Sequence, residues 1–134
     1  MKYKIEKESI RGVLEFGEIS ISPNEKVGFR PYELFVSSII GCSGTLLRNV
    51  LTKKRIPYQK IEMEVSSVRN LDKQNRIEKL SITAYVLSDQ PLSAQQAEKV
   101  AALVIKNCGM IQSVIQSIEI ALTVKSLPAN SDSK

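Results

Sequence analysis

The two cysteines of this 134-residue chain, Cys42 and Cys108, are the side chains whose type is best suited to chemistry. The thiolate form of cysteine is a nucleophile, and its reactivity depends on the pKa that the surroundings impose. Cys42 has glycines at positions 41 and 44, which would let a partner or substrate approach the sulfur. Cys108 lies where one predicted helix ends and another begins, and a helix N-terminus lowers the pKa of a thiol. The alternative is that both are small buried core residues, as free cysteines often are.

The composition excludes several other kinds of site. The chain has no histidine, so a Ser-His or Cys-His nucleophile pair and a histidine-ligated metal are excluded. Two cysteines alone cannot supply a four-ligand zinc site, and they are too few for a disulfide-rich scaffold. No phosphate-binding glycine loop precedes a helix, so a nucleotide site has no support. We therefore predict no cofactor and no metal, and the net charge of +5 permits an acidic partner without requiring one.

The elements that position the cysteines are predicted from hydrophobic spacing and turn residues. In chain order these are a loosely alternating β-meander at 3–21, a long helix from Pro31 to about Arg55, a hairpin of strands at 61–68 and 77–87 with its turn at 70–75, a second helix opened by the capping box of Ser93 and Gln96, a further turn or two of helix at 110–115, and a final alternating strand at 118–124. This order predicts an α+β fold with a largely antiparallel sheet.

The helix that begins at Pro31 has apolar residues around most of its circumference, which is typical of a buried helix. Gly41 and Gly44 each cost up to about 1 kcal/mol relative to alanine in a helix interior, so we expect a close neighbour at that level. One way to cover the helix is the sheet on one side and the second helix on the other. The second way is another copy of the chain, and we favour this homodimer, partly because of the resemblance described below.

We predict a single domain over residues 1–127 and a disordered polar tail at 128–134. No apolar run reaches the length of about 18 residues that crosses a bilayer. The first residues also lack the apolar segment of a signal peptide. We therefore expect a cytoplasmic protein with no membrane partner.

Residues 31–44 resemble the first cysteine motif of the OsmC/Ohr family, the osmotically induced and organic-hydroperoxide-resistance proteins. That motif has a proline that opens the helix, an acid, a leucine, small and apolar residues, and then the cysteine. Residues 107–110 occupy the place of the second cysteine motif, and the order of elements agrees over roughly 1–126. Two cysteines in the corresponding helices, with this order of elements, are a fairly specific combination. The chain is thus similar to the OsmC-like branch of that family.

This resemblance implies an intertwined homodimer in which sheets from both chains wrap long buried central helices. It also implies a thiol peroxidase whose substrate is an organic hydroperoxide. Cys42 would be the peroxidatic thiolate that becomes a sulfenic acid, and Cys108 would resolve it to a disulfide. A dithiol reductant, of the lipoyl type in family members, would restore the two thiols.

The chain departs from the family pattern in its acid and its cation. The well-studied peroxidases carry the acid directly after the proline, where this chain has Tyr32, and Glu33 follows one place later. Glu33 would either reach the site or stabilise the start of the helix. The family also uses an N-terminal arginine beside the thiolate; Arg11 is the closest match and Arg30 is its competitor.

A second departure follows Cys108. The family usually has Pro-Val after its second cysteine, whereas this chain has Gly109 and Met110. Without the proline, the helix start is expected to be less rigid and the resolving thiol less firmly held.

Two alternative functions remain. One is a non-catalytic dimer of the same fold that binds a small apolar ligand and keeps its thiols as structural residues. The other is nucleic-acid binding, because residues 41–44 formally match the GxxG loop of KH domains and 53–55 are basic. The GxxG match lies inside an apolar run and the chain has no tryptophan, so we predict no nucleic-acid partner.

Overall fold

The computed structural model describes residues 1–129, and these form an α+β fold, which confirms the predicted class. Residues 130–134, which make up most of the predicted tail, lie outside the described residues. The elements are β1 (Lys2–Ile5), β2 (Ile10–Val13), β3 (Glu18–Ile21), α1 (Pro31–Lys53), β4 (Lys60–Asn70), a turn of 3-10 helix (Leu71–Lys73), β5 (Arg76–Leu87), α2 (Ala94–Asn107), α3 (Gly109–Val114) and β6 (Glu119–Leu127). The chain divides into two compact units, Met1–Ser38 and the part from Ile39 onward. The prediction of a single domain is not decided by this division and stays a prediction.

The first unit contains the predicted meander. Its strands form a three-stranded antiparallel sheet in the order β1-β2-β3. The loop that follows is tied back to β3, because the Phe29 N–H donates to the Ser20 carbonyl at 2.8 Å. Gly28 permits this close approach, since a Cβ there would lie 2.6 Å from the Ser20 carbonyl oxygen. The loop thereby fixes the chain just before α1 begins.

Helix α1 begins at Pro31, as predicted, and ends at Lys53. Its buried residues are Ile39, Ser43, Leu47 and Leu51, which recur every four positions and form one stripe. The prediction that the helix is buried on nearly every side therefore does not hold within a single chain. Apolar residues beside the stripe, such as Leu46 and Val50, are only half-buried.

The apolar character of α1 corrects one sequence-based statement. Pro31–Lys53 is long enough, and with a hydropathy of 1.4 apolar enough, to meet the length and composition criteria for a membrane span. Serines and glycines interrupt the apolar residues of α1, so the sequence shows no long uninterrupted apolar run. They lower the mean hydropathy of the helix only a little. The core helix of a soluble protein meets the same criteria, and Leu47 and Leu51 of this helix lie in the core of the second unit.

The second unit contains a three-stranded sheet in the order β4-β5-β6. Strands β4 and β5 pair antiparallel, as the predicted hairpin requires, with a bulge between Val68 and Arg69. Strand β6 pairs with β5 in parallel, from Lys79 opposite Glu119 to Leu87 opposite Leu127. The largely antiparallel prediction holds for the other pairings between the named strands. It misses this one, because α2 and α3 form a crossover that returns the chain in the direction of β5.

The core of the second unit lies between α1, α2 and the β4-β5-β6 sheet. Its buried residues are Leu47, Leu51, Ala84, Val86, Val100, Ala101, Val104 and Val124. Helix α2 is fixed at its start by the predicted capping box: Ser93 Oγ accepts from the Gln96 N–H at 3.1 Å, and the Gln96 side chain accepts from the Ser93 N–H at 3.0 Å. The core therefore sets the position of the end of α2, where Cys108 lies.

Candidate active site

Cys108 occupies the junction of α2 and α3 and serves both helices. Its N–H donates to the Val104 carbonyl at 2.9 Å and so ends α2. Its Sγ accepts from the Ile111 N–H at 3.5 Å and so caps α3. The backbone of Cys108 is extended, with φ −80° and ψ 110°, and its side chain is fully buried. These contacts hold the sulfur at one place in the second unit.

Cys42 lies near the middle of α1, next to the buried Ser43. Its side chain is half-buried and its thiol is free, as is that of Cys108. The fold brings the two thiols near enough to shift each other's pKa: the Cys108 thiol lowers the pKa of Cys42, and Cys42 raises that of Cys108. Sequence reasoning could identify the two residues but could not show that they meet.

The surroundings shift the pKa values of the two thiols in opposite directions. The Met110 N–H, the Cys108 thiol and the Gly109 N–H interact with Cys42 and lower its pKa, although partial burial opposes them. Burial raises the pKa of Cys108, and donation to Cys42 raises it further. Cys42 is therefore the thiol that carries negative charge more readily, and Cys108 is the one that keeps its proton.

The glycines around Cys42 have different neighbours. A Cβ on Gly44 would lie 3.4 Å from the sulfur of Met63, so a side chain does pack close to the helix at this position, as expected. A Cβ on Gly41 would have no neighbour within 4 Å among the described residues. Within the single chain, Gly44 thus has a neighbour at ordinary van der Waals distance, and the close neighbour expected at Gly41 is not found.

Glu33 is engaged at the start of α1 in the first unit. Its Oε1 accepts from the Arg30 N–H at 3.3 Å and from the Arg30 Nε at 3.3 Å. The Arg30 side chain, followed by the Arg30 backbone N–H, lowers the pKa of this carboxyl. Of the two roles considered for Glu33, stabilising the helix start is the one that these contacts perform.

Arg11 lies on β2 in the first unit. Its Nη1 is 3.3 Å from Glu18 Oε1, and its Nη2 is 3.7 Å from Glu6 Oε1. All three side chains are about half exposed, so these ion pairs contribute little stability. The arginine is thus paired with carboxylates of its own sheet.

Sequence reasoning missed the backbone groups that follow Cys108. The expected loss of rigidity after Cys108 stays a prediction, and the N–H groups of Gly109 and Met110 contribute to the lowered pKa of Cys42. The usable signal is the absence of proline directly after an N-capping cysteine, because every other residue retains its backbone N–H. Among residues 1–129, no group of three or more His, Cys, Asp or Glu side chains is placed to hold a metal ion.

A groove of about 430 Å³ lies between the second half of α1 and the end of α2, and neither cysteine lines it. Leu46, one helical turn after Cys42, lines it together with Val50 and Leu103. Lys53 and Lys54 line it as well, at the C-terminal end of α1. The groove therefore offers apolar surface near the thiols and positive charge further along.

Comparisons with known proteins identify the family and the fold. A family model described as OsmC-like protein matches residues 23–123. A hypothetical protein from Aquifex aeolicus superimposes with a TM-score of 0.82 at 20% identity, covering 94% of this chain and 93% of the other. An OsmC-like protein from Mycoplasma pneumoniae gives 0.77 at 18% identity, covering 95% and 98%. The organic hydroperoxide resistance protein OhrB of Bacillus subtilis gives 0.67 at 16% identity, covering 92% and 95%. No curated protein sequence matches the chain significantly, and at these identities the structural likeness establishes the fold.

Proposed function

The chain belongs to the OsmC-like protein family, and on that premise we propose that it is a thiol peroxidase that reduces organic hydroperoxides through Cys42 and Cys108. The observation that supports this most directly is the contact between the two thiols, which carry opposite pKa shifts. A peroxidase of this type needs one thiol that ionises readily and a second thiol close enough to form a disulfide. Several structural neighbours are named organic hydroperoxide resistance proteins, which agrees with this activity and with a role in the response to oxidative stress.

In the proposed first step, the Cys42 thiolate attacks the distal oxygen of the hydroperoxide. The O–O bond breaks, an S–O bond forms, and the leaving alkoxide takes up a proton to become the alcohol. Cys42 is thereby oxidised to a sulfenic acid while the peroxide is reduced.

In the second step, the Cys108 thiolate attacks the sulfenic sulfur, so that a disulfide forms and water leaves. The charge on Cys42 is one of the factors that raise the pKa of Cys108. This charge disappears when Cys42 becomes a sulfenic acid, so oxidation of the first thiol makes the second easier to ionise. A dithiol reductant of the lipoyl type would then reduce the disulfide by two thiol–disulfide exchanges.

The groove that begins one helical turn after Cys42 supports an organic substrate in preference to hydrogen peroxide. Leu46, Val50 and Leu103 would bury the alkyl or aryl group of a hydroperoxide, and hydrogen peroxide has no such group. The expected preference is therefore a property of this apolar surface.

Arg11 and Glu33 remain the proposed cation and acid of the reaction. Arg11 forms exposed ion pairs with Glu6 and Glu18. Glu33 forms an exposed ion pair with Arg30. Because exposed ion pairs contribute little free energy, exchanging them for contacts at Cys42 would cost little. Arg30 stays the competitor of Arg11 in this role.

We propose further that the protein works in the cytoplasm as an intertwined homodimer. Apolar side chains of α1 outside the groove, such as Phe35, Val36 and Ile40, are only half-buried by their own chain. A second copy that packs against this helix would remove them from water.

A non-catalytic dimer that binds a small apolar ligand is the second candidate. Complete burial of Cys108 favours it, because a buried thiol is often a structural residue. The groove of about 430 Å³ would then hold the ligand itself.

Thiol titration after addition of one equivalent of cumene hydroperoxide distinguishes the two. The peroxidase predicts rapid loss of two thiols per chain, and slower loss with hydrogen peroxide. Cys42→Ser is the matched control and should lose no thiol on the same timescale. If neither thiol reacts faster than free cysteine, the peroxidase proposal is wrong and the binding dimer is favoured.

A further inference from the structure

We propose that the second unit binds an aliphatic carboxylate, with the hydrocarbon chain in the groove between α1 and α2 and the carboxylate among Lys53, Lys54 and Lys99. This site goes beyond the proposed peroxidase function and does not depend on it, because neither cysteine lines the surfaces involved. Two independent features of the molecule support it, an apolar surface open to water and a group of unpaired cations at one end of that surface.

The apolar part of the site is the groove of about 430 Å³. Leu46 and Val50 are half-buried and lie one helical turn apart on α1, so both are on the same face of that helix. Leu103 lines the groove from α2, is 37% exposed and is not part of the buried core. Because covering exposed aliphatic side chains is favourable, this surface favours a ligand with a hydrocarbon chain.

Three lysines lie at one end of this apolar surface. Lys53 and Lys54 line the groove itself, and Lys54 also lines an adjoining groove of about 280 Å³ together with Lys99. Among residues 1–129, no acidic side chain lines either groove and none of the three lysines forms an ion pair. Like charges that meet without a counter-charge repel one another, and a bound anion would relieve that repulsion.

The helix dipole explains only part of this group. Lys53 and Lys54 lie at the C-terminal end of α1, where positive charge is favourable in any case. Lys99 lies in the first half of α2 (Ala94–Asn107), where the dipole of that helix gives a cation no such advantage. The convergence of charges from two helices is therefore the feature that indicates a ligand.

The backbone that carries Lys53 and Lys54 is fixed by a Schellman motif. The Ile56 N–H donates to the Leu51 carbonyl at 2.9 Å, which closes the last turn of α1. Arg55 adopts the left-handed conformation that this motif requires, with φ of 57°. The two lysines are thus presented from a closed helix end, so less conformational entropy is lost when they bind an anion.

The position of the lysines favours a carboxylate over a phosphate. Phosphate sites commonly use the backbone N–H groups and the positive dipole of a helix N-terminus. The end of α1 is a C-terminus, which carries partial negative charge and repels a doubly charged phosphate more than a singly charged carboxylate. Lysine ammonium groups, which are compact point charges, can attract a carboxylate without the bidentate geometry that arginine provides.

The first measurement is isothermal titration calorimetry of the unaltered protein with octanoate, 1-octanol and acetate. Octanoate has both the chain and the charge, whereas octanol lacks the charge and acetate lacks the chain. We expect saturable binding of octanoate that weakens as sodium chloride is added, binding of octanol that is at least about fivefold weaker, and no saturable binding of acetate. Equal binding of octanol and octanoate, or no saturable binding of octanoate at millimolar concentration, would overturn the proposal.

The second measurement identifies the residues. Lys54→Gln and Lys99→Gln each remove one charge and should weaken octanoate binding by about two- to fivefold. Leu103→Ala removes apolar surface outside the core and should weaken it as well. Lys125→Gln, at an exposed position of β6 that lines neither groove, is the matched control and should bind like the wild type. Equal weakening in Lys125→Gln and Lys54→Gln would show an effect of net charge and would contradict the site.

Octanoate contains no O–O bond, so neither measurement tests the peroxidase activity. If octanoate binds as expected and cumene hydroperoxide does not oxidise Cys42, the peroxidase function fails while the carboxylate site stands. If oxidation is rapid and octanoate does not bind, the carboxylate site fails while the peroxidase function stands.

Discussion

The fully buried Cys108 thiol, at the junction of α2 and α3, and the half-buried Cys42 thiol of α1 shift each other's pKa in opposite directions. The interaction is directional, since it lowers the pKa of Cys42 and raises that of Cys108. Two equivalent thiols would ionise equally readily. Here the thiolate forms more readily at Cys42, which is the more accessible sulfur. The order of events in the proposed reaction follows from this assignment.

The two cysteines should respond differently to replacement by serine. Cys42→Ser removes the nucleophile and should abolish hydroperoxide turnover. Cys108→Ser leaves the nucleophile but no second thiol, so one equivalent of hydroperoxide should leave a trapped sulfenic acid at Cys42. Labelling with dimedone, read by peptide mass spectrometry, detects this product. A Cys108→Ser protein that turns over repeatedly, or that never acquires the label, would contradict the assigned roles.

Alkylation of the unmodified protein should be selective and dependent on pH. Because the pKa of Cys42 is lowered, its thiolate forms at a lower pH than that of an ordinary cysteine, and reactivity is lost as pH falls through that lowered value. The pKa of Cys108 is raised, so its thiolate forms only at higher pH. At pH 7, limiting iodoacetamide should modify Cys42 first, and peptide mapping gives the ratio. Cys108 should become equally reactive in guanidinium chloride, which provides the control; equal labelling of both thiols in the native protein would argue against the asymmetry.

The half-buried apolar residues of α1 make the oligomeric state a testable property. Size-exclusion chromatography with light scattering should give twice the chain mass of 14.9 kDa. Ile40→Glu, which places a charge beside the buried stripe, should shift the protein towards the monomer. Thr45→Glu, on an exposed position of the same helix, is the matched control and should leave the dimer intact. A monomeric wild type at micromolar concentration would remove the dimer proposal.

Several elements could be predicted because their signals are local. Pro31 identifies the first residue of α1, since its missing N–H costs nothing there. Ser93 and Gln96 identify the start of α2, because the capping box is formed by residues three positions apart. The alternating pattern before Leu127 likewise predicts β6. In each case the interaction that forms the element lies within a few residues of the pattern.

The features that were missed depend on distant parts of the chain. Period-two alternation identifies β6 but carries no information about strand direction, so its parallel pairing with β5 could not be predicted. The meeting of Cys42 and Cys108 depends on how α1 and α2 pack in the second unit. The use of the Gly109 N–H follows only once that meeting is known. The sequence therefore predicts which side chains are reactive, whereas the fold decides what surrounds them.

The turn between β4 and β5 offers a gain in stability away from the cysteines. Gln74 and Asn75 both adopt the left-handed conformation, with φ of 59° and 58°. Glutamine has no side-chain interaction that compensates for this backbone, whereas asparagine is common there. Gln74→Gly should therefore raise the free energy of unfolding by about 0.5–1 kcal/mol, the relief of strain exceeding the added flexibility of the unfolded chain. Asn75→Gly is the matched comparison and should give a smaller gain, as measured by urea denaturation.

Since the exposed turn is formed by residues 71–75 and the cysteines lie on other elements, Gln74→Gly should leave the rate of Cys42 alkylation unchanged. A loss of stability in Gln74→Gly would show that the glutamine side chain makes a contribution that outweighs its backbone strain.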